Sequence, residues 1–472
     1  MRFNSVAFIG FFLAFIVVWP ILRRRNSSRW IYLIVASSFF YGWWDYRFLF
    51  LILASGLIDF FAALAMERRS EYKKWFLVVS ICGNVGSLAL FKYLDFFIMN
   101  LNYVGDFLGF DAEIPLARLI LPVGISFYTF QSMSYTIDVY RGKLNPTRNP
   151  FHFFAYLAMF PQLVAGPIVR ATDLLPQLMR NNPTTEENRW QGLRLIAYGY
   201  FKKVVVADNL APLVNAAFDA QTPVDSAGYW WVIIFFFALQ IYCDFSGYSD
   251  IARGLGKWMG FEFPVNFDHP YLSGSLREFW GRWHVSLSSW FRDYVYIPLG
   301  GSRKGTCTGH RNMWITMLIS GLWHGAAWTF VGWAALHALY LSIERLTQWP
   351  KRLIRLPGGR HLCVAITFIL VLCGWVFFRA RSFTQATVIL GEMFNLGHMN
   401  FKALPDLFQV QLLIPLATWL TGQVYVYLNL SEQPFIKNSP WVGFLRPLAL
   451  GAIIAACIFF KGPGSTFIYF QF

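Results

Sequence analysis

The sequence has few charged residues. Only 14% of its 472 residues are charged, against about 25% in a typical soluble domain. Hydrophobic residues make up 56% of the chain, which exceeds the roughly 45–50% that is usual. This composition excludes a water-soluble cytosolic enzyme, a disordered chain and a collagen-like chain as the main interpretation.

Cysteine is also scarce. The six cysteines form no CxxC pair, and most lie within apolar runs, so we interpret them as small buried hydrophobic side chains. Neither a disulfide framework nor a zinc site is predicted. The sequence also lacks a phosphate-binding loop and a Gly-x-Ser-x-Gly elbow with a plausible Asp and His, which argues against a soluble-esterase mechanism. We therefore expect no bound metal or cofactor.

Apolar runs of membrane-spanning length recur along nearly the whole chain. A spanning helix needs roughly 20 mostly apolar residues, and this rule predicts an all-α polytopic fold of roughly 11–13 membrane-embedded helices and re-entrant segments. No long linker separates them, so we predict one integral membrane domain over residues 1–472. The candidate segments lie at 4–22, 30–44, 48–66, 75–92, 115–137, 151–169, 192–215, 229–248, 312–330, 331–346, 361–378, 408–430 and 441–460.

Basic residues outnumber acidic ones, 40 to 25, which gives a net charge of +15. Nucleic-acid binding would need a basic face on a soluble module with base-reading motifs, and none is visible. Lys and Arg collect in the cytoplasmic loops of membrane proteins. Basic clusters at 23–29, 68–74 and 303–311 therefore predict cytoplasmic loops and an outside N-terminus. The alternative for part of this charge is a bound polyanion, such as the phosphates of an acyl donor.

Most of the unusual chemistry lies between Ile241 and Tyr340. Asp244 opens this region at the end of an aromatic run. Acids within a membrane helix are costly and are functional candidates by default. The alternative is structural, since Asp244 can cap a helix or pair with a basic residue such as Arg253.

Two blocks rich in aromatic residues follow. In Arg277–His284, helical spacing would place Trp280 and His284 on one face. The block Trp290–Gly301 mixes Arg292 with acidic and aromatic side chains at a density unusual for a lipid-facing helix. Such a segment suits the cytoplasmic interface or the wall of a polar cavity.

A histidine, His324, lies in the apolar run Met313–Leu341, between Gly321 and Gly325. An imidazole in an apolar helix is costly unless it has a partner or a task, and its ordinary pKa of about 6.5 suits proton transfer near neutral pH. The glycines leave room for a ligand or a neighbouring helix. The alternative is a buried histidine with a purely structural role.

His337 lies further along the same apolar run. At about 100° per residue, His324 and His337 point to different faces of one continuous helix. We therefore do not expect them to act as a pair unless the helix breaks near Gly332.

Several motifs of this sequence resemble, in order and spacing, those of the membrane-bound O-acyltransferase family. They are most similar to the motifs of its bacterial branch of alginate O-acetyltransferase membrane subunits. Together these motifs extend from the first third of the chain to residue 380, whereas residues 400–472 carry no motif that we can match. The matching pieces are Pro122–Gln131, Tyr135–Gly142, Pro161–Ile168, Asp244–Asp250, Arg277–His284, Trp290–Gly301, Gly321–Gly325 and Phe377–Ala380.

The resemblance implies a helical fold around a transmembrane tunnel, with a catalytic core at about residues 115–380. It implies a catalytic role for His324, in a Trp-His-Gly motif, and matches His284 with a second polar position of the family. Acyl transfer needs a base near the acceptor hydroxyl and donors for the oxyanion. His324 suits the first task, and His284 or a tryptophan N–H suits the second. Candidates for substrate binding or tunnel lining are Trp280, Trp283, Asp244, Arg292, Trp323 and His337, and candidates for the donor phosphates are Arg303, Lys304 and Arg311.

The expected function is O-acetyl transfer from a cytosolic donor, acetyl-CoA, toward an exported polysaccharide such as alginate, acetylated cellulose or peptidoglycan glycan. Transfer is direct or passes through a periplasmic esterase-like partner beside a polysaccharide synthase, at the bacterial inner membrane. Two alternatives stay open. A D-alanyl transferase for teichoic acids would take its acyl group from a carrier protein. A transporter or flippase without transfer chemistry would often show two similar halves, and none is visible.

Overall fold

The computed structural model describes residues 1–110, 113–164, 166–180, 183–400, 416–417, 419–423 and 441–468. Every regular element in this part of the chain is helical, which confirms the predicted all-α class. Four helical stretches are long and apolar enough to cross a membrane, and two shorter ones, Val6–Leu22 and Arg446–Phe459, are also apolar. The four are Ser27–Arg68, Ser70–Phe107, Ala227–Met259 and Gly359–Arg379.

Several long helices begin and end near predicted segments, because long apolar runs set helix positions in a membrane protein. Six described helices correspond to no predicted segment: Leu94–Phe107, Ala171–Met179, Leu276–Arg282, Val285–Phe291, Trp349–Leu353 and Phe383–Met393. Three π-helical turns, Ala89–Tyr93, Phe201–Ala207 and Arg292–Tyr296, join or extend them. The helices are α1 (Val6–Leu22), α2 (Asn26–Asp45), α3 (Leu49–Arg68), α4 (Lys73–Leu88), α5 (Leu94–Phe107), α6 (Ile125–Tyr140), α7 (Pro150–Leu157), α8 (Phe160–Leu163), α9 (Ala171–Met179), α10 (Glu186–Tyr200), α11 (Asp208–Asp219), α12 (Ala227–Met259), α13 (Leu276–Arg282), α14 (Val285–Phe291), α15 (Thr306–His324), α16 (Trp328–Thr347), α17 (Trp349–Leu353), α18 (Gly359–Arg379), α19 (Phe383–Met393) and α20 (Trp441–Phe459).

Two predicted segments, at 115–137 and 151–169, differ from the structure, and a third cannot be compared with it. The segment predicted at 115–137 becomes helical only at Ile125, because Pro122 and a left-handed Gly124 precede it. The segment at 151–169 is broken into α7 and α8, as its Pro and Gly residues favour. The segment at 408–430 lies mostly outside the described residues. The number of membrane-embedded segments stays a prediction.

The chain divides into two compact units. The first contains Met1–Gly192 and Ala252–Pro264, and the second contains Leu193–Ile251 and the described residues from Val265 onward. Whether residues 115–380 act as one catalytic core stays a prediction.

A buried carboxylate, Asp59, joins three helices of the first unit. Asn84 Nδ2 donates to it at 2.9 Å and Thr136 Oγ1 at 3.0 Å, and the hydroxyls of Ser80 and Ser132 donate as well. These donors come from α4 and α6, while Asp59 belongs to α3. A buried acid needs such hydrogen bonds to offset its desolvation, so this cluster specifies how the three helices pack.

The second unit has an aromatic core. Trp283, Trp333 and Trp375 are each at most 1% exposed. The ring centroids of Trp283 and Trp375 lie 4.9 Å apart, and Trp333 stacks on Trp375 at 6.2 Å. Aromatic pairs of this kind each stabilise by about 0.5–1.5 kcal/mol beyond their buried area. Trp333 also contacts two of the histidines that the sequence singled out, His324 and His337.

Candidate functional site

His284 lies at the junction of α13 and α14, with a φ of 45°. Left-handed backbone is uncommon for a residue other than glycine, so neighbouring contacts must hold it. Val285 N donates to Asn266 O at 2.9 Å, and Ser286 donates to Asn266 Oδ1 through both its backbone N–H and, at 2.8 Å, its hydroxyl. Asn266 Nδ2 in turn donates to Ser249 Oγ on α12 at 3.1 Å.

The same amide orients the imidazole of His284. His284 Nδ1 lies 3.2 Å from Asn266 Oδ1. The backbone N–H of Ser286 can only donate, so the group that faces it is the amide oxygen. We therefore assign the proton of a neutral His284 ring to Nδ1 and the lone pair to Nε2. Asn266 was not among the predicted site residues, because a single Asn in a loop carries no local signal of this contact.

His324 is the last residue of α15 and is 3% exposed. Its ring contacts Trp323, Trp333 and Phe378, with centroid distances of 5.1, 5.1 and 5.4 Å. The Trp323 ring also lies 6.2 Å from the His284 ring. The two predicted catalytic histidines therefore flank one tryptophan, although 266–284 and 306–324 are separate parts of the chain.

The expectation that His324 and His337 share one continuous helix is wrong. The chain leaves the helix at Gly325, whose φ of −161° is extended, and α16 begins at Trp328. The break is therefore earlier than Gly332. Because α15 and α16 pack on each other, both histidine rings reach the same side chain, and the centroid of Trp333 lies 5.1 Å from His324 and 5.2 Å from His337.

His337 occupies an aromatic box. Its ring stacks on Phe279 at 6.3 Å and meets Trp280 and Tyr340 edge-on at 5.2 and 5.9 Å. Neither ring nitrogen has a hydrogen-bond partner within the described residues. On the α18 side, a Cβ at Gly374 would lie 2.6 Å from His337 Nε2, so the box closes on His337 only because residue 374 is glycine.

The expectation that Trp280 and His284 share a helix face is also wrong, because α13 ends at Arg282. Trp280 faces Trp333 and His337, at 5.7 and 5.2 Å, and His284 faces Phe245 at 4.6 Å. The indole N–H groups of Trp280 and Trp333 are buried and have no hydrogen-bond partner in the described part of the chain. Both are suitable donors for a ligand oxygen.

Asp244 pairs with a different cation from the one considered above. Its Oδ1 lies 2.8 Å from Lys203 Nζ, and Asp208 Oδ1 also lies 2.8 Å from that nitrogen. Arg253 lies nine positions after Asp244 on α12. At about 100° per residue, this spacing places the two side chains on opposite faces of the helix. The correct partner comes from the π-helical turn Phe201–Ala207, and no local pattern indicates it.

Four further predicted residues, all cations, are exposed, in contrast to the buried histidine cluster. Arg292 has a side chain that is 62% exposed and bonds to Asp293 at 2.7 Å, and this hydrogen bond raises the pKa of the Arg292 guanidinium. Arg303, Lys304 and Arg311 are exposed. Trp283 packs within the aromatic core described above.

A cavity of about 560 Å³ opens beside this basic loop. Three cations and one carboxylate line it, together with neutral polar and apolar side chains. The carboxylate, Glu344, accepts the Leu276 and Arg277 backbone N–H groups, at 2.6 and 3.3 Å. Because the three cations outnumber it, the lining has a net positive charge. The lining residues are Ser275, Arg277, Tyr296, Ser302, Met313, Leu341, Glu344, Arg345, Gln348, Pro350 and Lys351. Within the described residues, no group of three His, Cys, Asp or Glu side chains is arranged to hold a metal ion.

Comparison with known proteins identifies the family. The profile of the membrane-bound O-acyltransferase family matches residues 144–386, a region that contains both histidines. A probable alginate O-acetylase of Pseudomonas putida is 38% identical over the full length of both chains. A probable alginate O-acetylase of Pseudomonas aeruginosa is 40% identical over 86% of this chain and 77% of its own. A peptidoglycan O-acetyltransferase of Helicobacter pylori is 34% identical over 84% of this chain and 79% of its own.

These matches agree with the sequence motifs, with the all-α fold and with the apolar helices. They establish an enzyme, which excludes the alternative of a transporter without transfer chemistry. The chain belongs to the membrane-bound O-acyltransferase family and is a multi-pass membrane O-acyltransferase.

Proposed function

We propose that this enzyme transfers acetyl groups from cytosolic acetyl-CoA across the bacterial inner membrane toward an exported polysaccharide, with His324 as the general base. The observation that carries this proposal is the contact of His284 and His324 with one tryptophan, Trp323, in the region matched to the family. Two imidazoles in one buried aromatic cluster are costly unless they have a task.

His324 is the proposed base for the acceptor hydroxyl. As the hydroxyl oxygen attacks the thioester carbonyl carbon, the imidazole takes the hydroxyl proton. The tetrahedral intermediate then expels the CoA thiolate, which receives that proton, so the products are the acetyl ester and free CoA. The surrounding rings of Trp323, Trp333 and Phe378 exclude bulk water, which would otherwise hydrolyse the thioester.

His284 is the proposed partner of His324 and positions the acceptor, because the lone pair assigned to its Nε2 can accept a hydrogen bond from an acceptor hydroxyl. It is 1% exposed, and its contact with Asn266 holds one ring orientation, which is the preorganisation that positioning of a substrate requires. The indole N–H groups of Trp280 and Trp333 are the candidate donors for the developing oxyanion, because neither has a partner within the described residues.

The cationic cavity supports a donor with phosphate groups. Arg277, Arg345 and Lys351 line it, and Ser302 connects it to the loop that carries Arg303 and Lys304. Guanidinium and ammonium groups are the usual protein ligands of phosphate. We propose that this surface binds the phosphates of acetyl-CoA on the cytosolic side and that a tunnel leads from it to the histidines.

The proposed acceptor is alginate, cellulose or peptidoglycan glycan. Relatives of this chain carry alginate O-acetylase and peptidoglycan O-acetyltransferase names. The acetyl group reaches the sugar directly or through a periplasmic esterase-like partner that works beside a polysaccharide synthase. D-alanyl transfer to teichoic acid is the competing activity, and it would use a carrier protein as donor.

The test is acetyl incorporation into exported polymer by membranes supplied with labelled acetyl-CoA. His324→Ala should lose at least the roughly 10²–10⁴-fold that general-base catalysis supplies, at a matched amount of protein. His284→Asn should keep more activity than His284→Ala, since Asn retains a hydrogen-bonding side chain. His398→Ala is the matched control, because His398 is 44% exposed and bonds to Glu392 away from the cluster.

Two results would contradict the proposal. Near wild-type incorporation by His324→Ala would remove the assigned base. Labelling from a D-alanyl carrier protein but not from acetyl-CoA would replace the proposed donor with the competing one.

A further inference from the structure

The last described stretch of the chain, residues 461–468, enters the core of the second unit. It follows α20 and is not helical over 461–467. Lys461 is exposed, whereas Phe467 is 0% and Ile468 2% exposed. Stretches rich in Gly and Pro normally run over the surface, so a buried end needs specific contacts to hold it.

The first contact is made by the backbone at Gly462. Gly462 N donates to Val204 O at 2.8 Å, and Asn209 Nδ2 donates to Phe460 O at 2.9 Å. A Cβ at position 462 would lie 2.7 Å from the Asp208 carbonyl carbon and 2.8 Å from Asn209 N. These are backbone atoms that cannot move aside, so the segment lies this close to α11 only with glycine there.

The second contact is the buried Lys203 cluster. Lys203 Nζ pairs with Asp208 and Asp244, and it also donates to Ser465 O at 3.2 Å. Ser465 Oγ donates to Asp208 Oδ1 at 2.5 Å, and Ile468 N donates to Asp244 Oδ2 at 2.8 Å. One cation faces two carboxylates, so the cluster needs these further donors to offset its desolvation. The segment and the cluster therefore stabilise each other.

A chain of ring contacts connects this segment to the proposed active site. Phe467 packs on Tyr248 at 4.4 Å and on Phe245 at 5.6 Å. Phe245 meets the His284 ring edge-to-face at 4.6 Å, in addition to the contact of His284 Nδ1 with Asn266. Only one aromatic ring, Phe245, separates Phe467 from His284.

We propose that residues 461–468 form a C-terminal clasp that positions His284. The clasp is hydrogen-bonded to the Lys203 cluster, and Phe467 packs the Phe245 ring against the imidazole of His284. This inference rests on the proposed role of His284, and it gives a function to a stretch in which the sequence showed no motif. Phe467 is a positioning residue, because it acts through Phe245.

The test is a double-mutant cycle of Phe467→Ala with His284→Asn, in membranes of the full chain with labelled acetyl-CoA. Phe467→Ala alone should lower kcat by about 10–100-fold, since small misplacements of a catalytic group have effects of this size, and leave the KM for acetyl-CoA unchanged. In the His284→Asn background it should add no more than about a twofold loss, which is the usual scatter of additive effects.

Phe459→Ala is the matched control, because Phe459 is 80% exposed at the end of α20, and it should leave kcat unchanged. If Phe467→Ala does not accumulate, Phe467→Leu, which keeps apolar bulk without an aromatic edge, takes its place in the cycle. If Phe467→Ala lowers kcat equally in the wild-type and the His284→Asn backgrounds, the clasp is refuted and the proposed role of His284 is unaffected. Wild-type kcat in both His284→Asn and His284→Ala would overturn the role of His284, and with it the clasp.

Discussion

Replacing Lys203 by Met tests whether the buried ion cluster stabilises the second unit. Lys203 and Asp208 are 0% exposed and Asp244 is 2% exposed. Met keeps most of the length of the lysine side chain but removes the cation, so two carboxylates remain buried without it. Removing one partner of a buried ion pair costs about 3–5 kcal/mol. We expect Lys203→Met to lower the free energy of unfolding by this amount.

The triple variant Lys203→Met, Asp208→Asn, Asp244→Asn separates charge from packing. Replacing a whole buried ion network by neutral groups of similar volume is often neutral or stabilising. The triple variant should therefore recover most of the stability that Lys203→Met loses. This recovery distinguishes an uncompensated charge from a simple packing defect, which would persist in the triple variant.

The assay is equilibrium unfolding in mixed detergent micelles with increasing sodium dodecyl sulfate, followed by tryptophan fluorescence. Lys304→Met, at an exposed position, is the control and should stay within about 0.5 kcal/mol of wild type. The prediction is refuted if the free energy of unfolding of Lys203→Met lies within about 1 kcal/mol of the wild-type value, because the expected loss is larger. It is also refuted if the triple variant is no more stable than Lys203→Met.

Three further predictions concern topology, donor binding and packing. A cysteine at Ser70 should be labelled by an impermeant reagent only from the cytoplasmic side, and periplasmic labelling would overturn the orientation taken from the basic clusters. Neutralising the three exposed cations of loop 303–311 should raise the apparent KM for acetyl-CoA without affecting insertion, whereas an unchanged KM assigns them to topology alone. Gly374→Ala should destabilise by about 1–3 kcal/mol through overpacking against His337, measured by thermal unfolding, while Gly391→Ala, which has nothing within 4 Å, should not.

Local properties of the residues were enough to predict the helical class and many helix bounds. The segment predicted at 361–378 is α18, Gly359–Arg379, and the one predicted at 441–460 is α20. A long apolar run forms a helix wherever water is excluded, because its backbone groups must bond to each other. His324 was named as a candidate catalytic residue for a similar reason, since an ionisable side chain in an apolar run is conspicuous before any partner is known.

Contacts between distant residues depended on the tertiary structure. Asn266 orients His284 from 18 positions away, and Ile468 donates to Asp244 from 224 positions away. Such pairs follow no helical period, so no pattern in the chain predicts them. The break after His324 was also placed too late. Phe330 fills the space beside Gly325, and the packing of α15 on α16 determines that space.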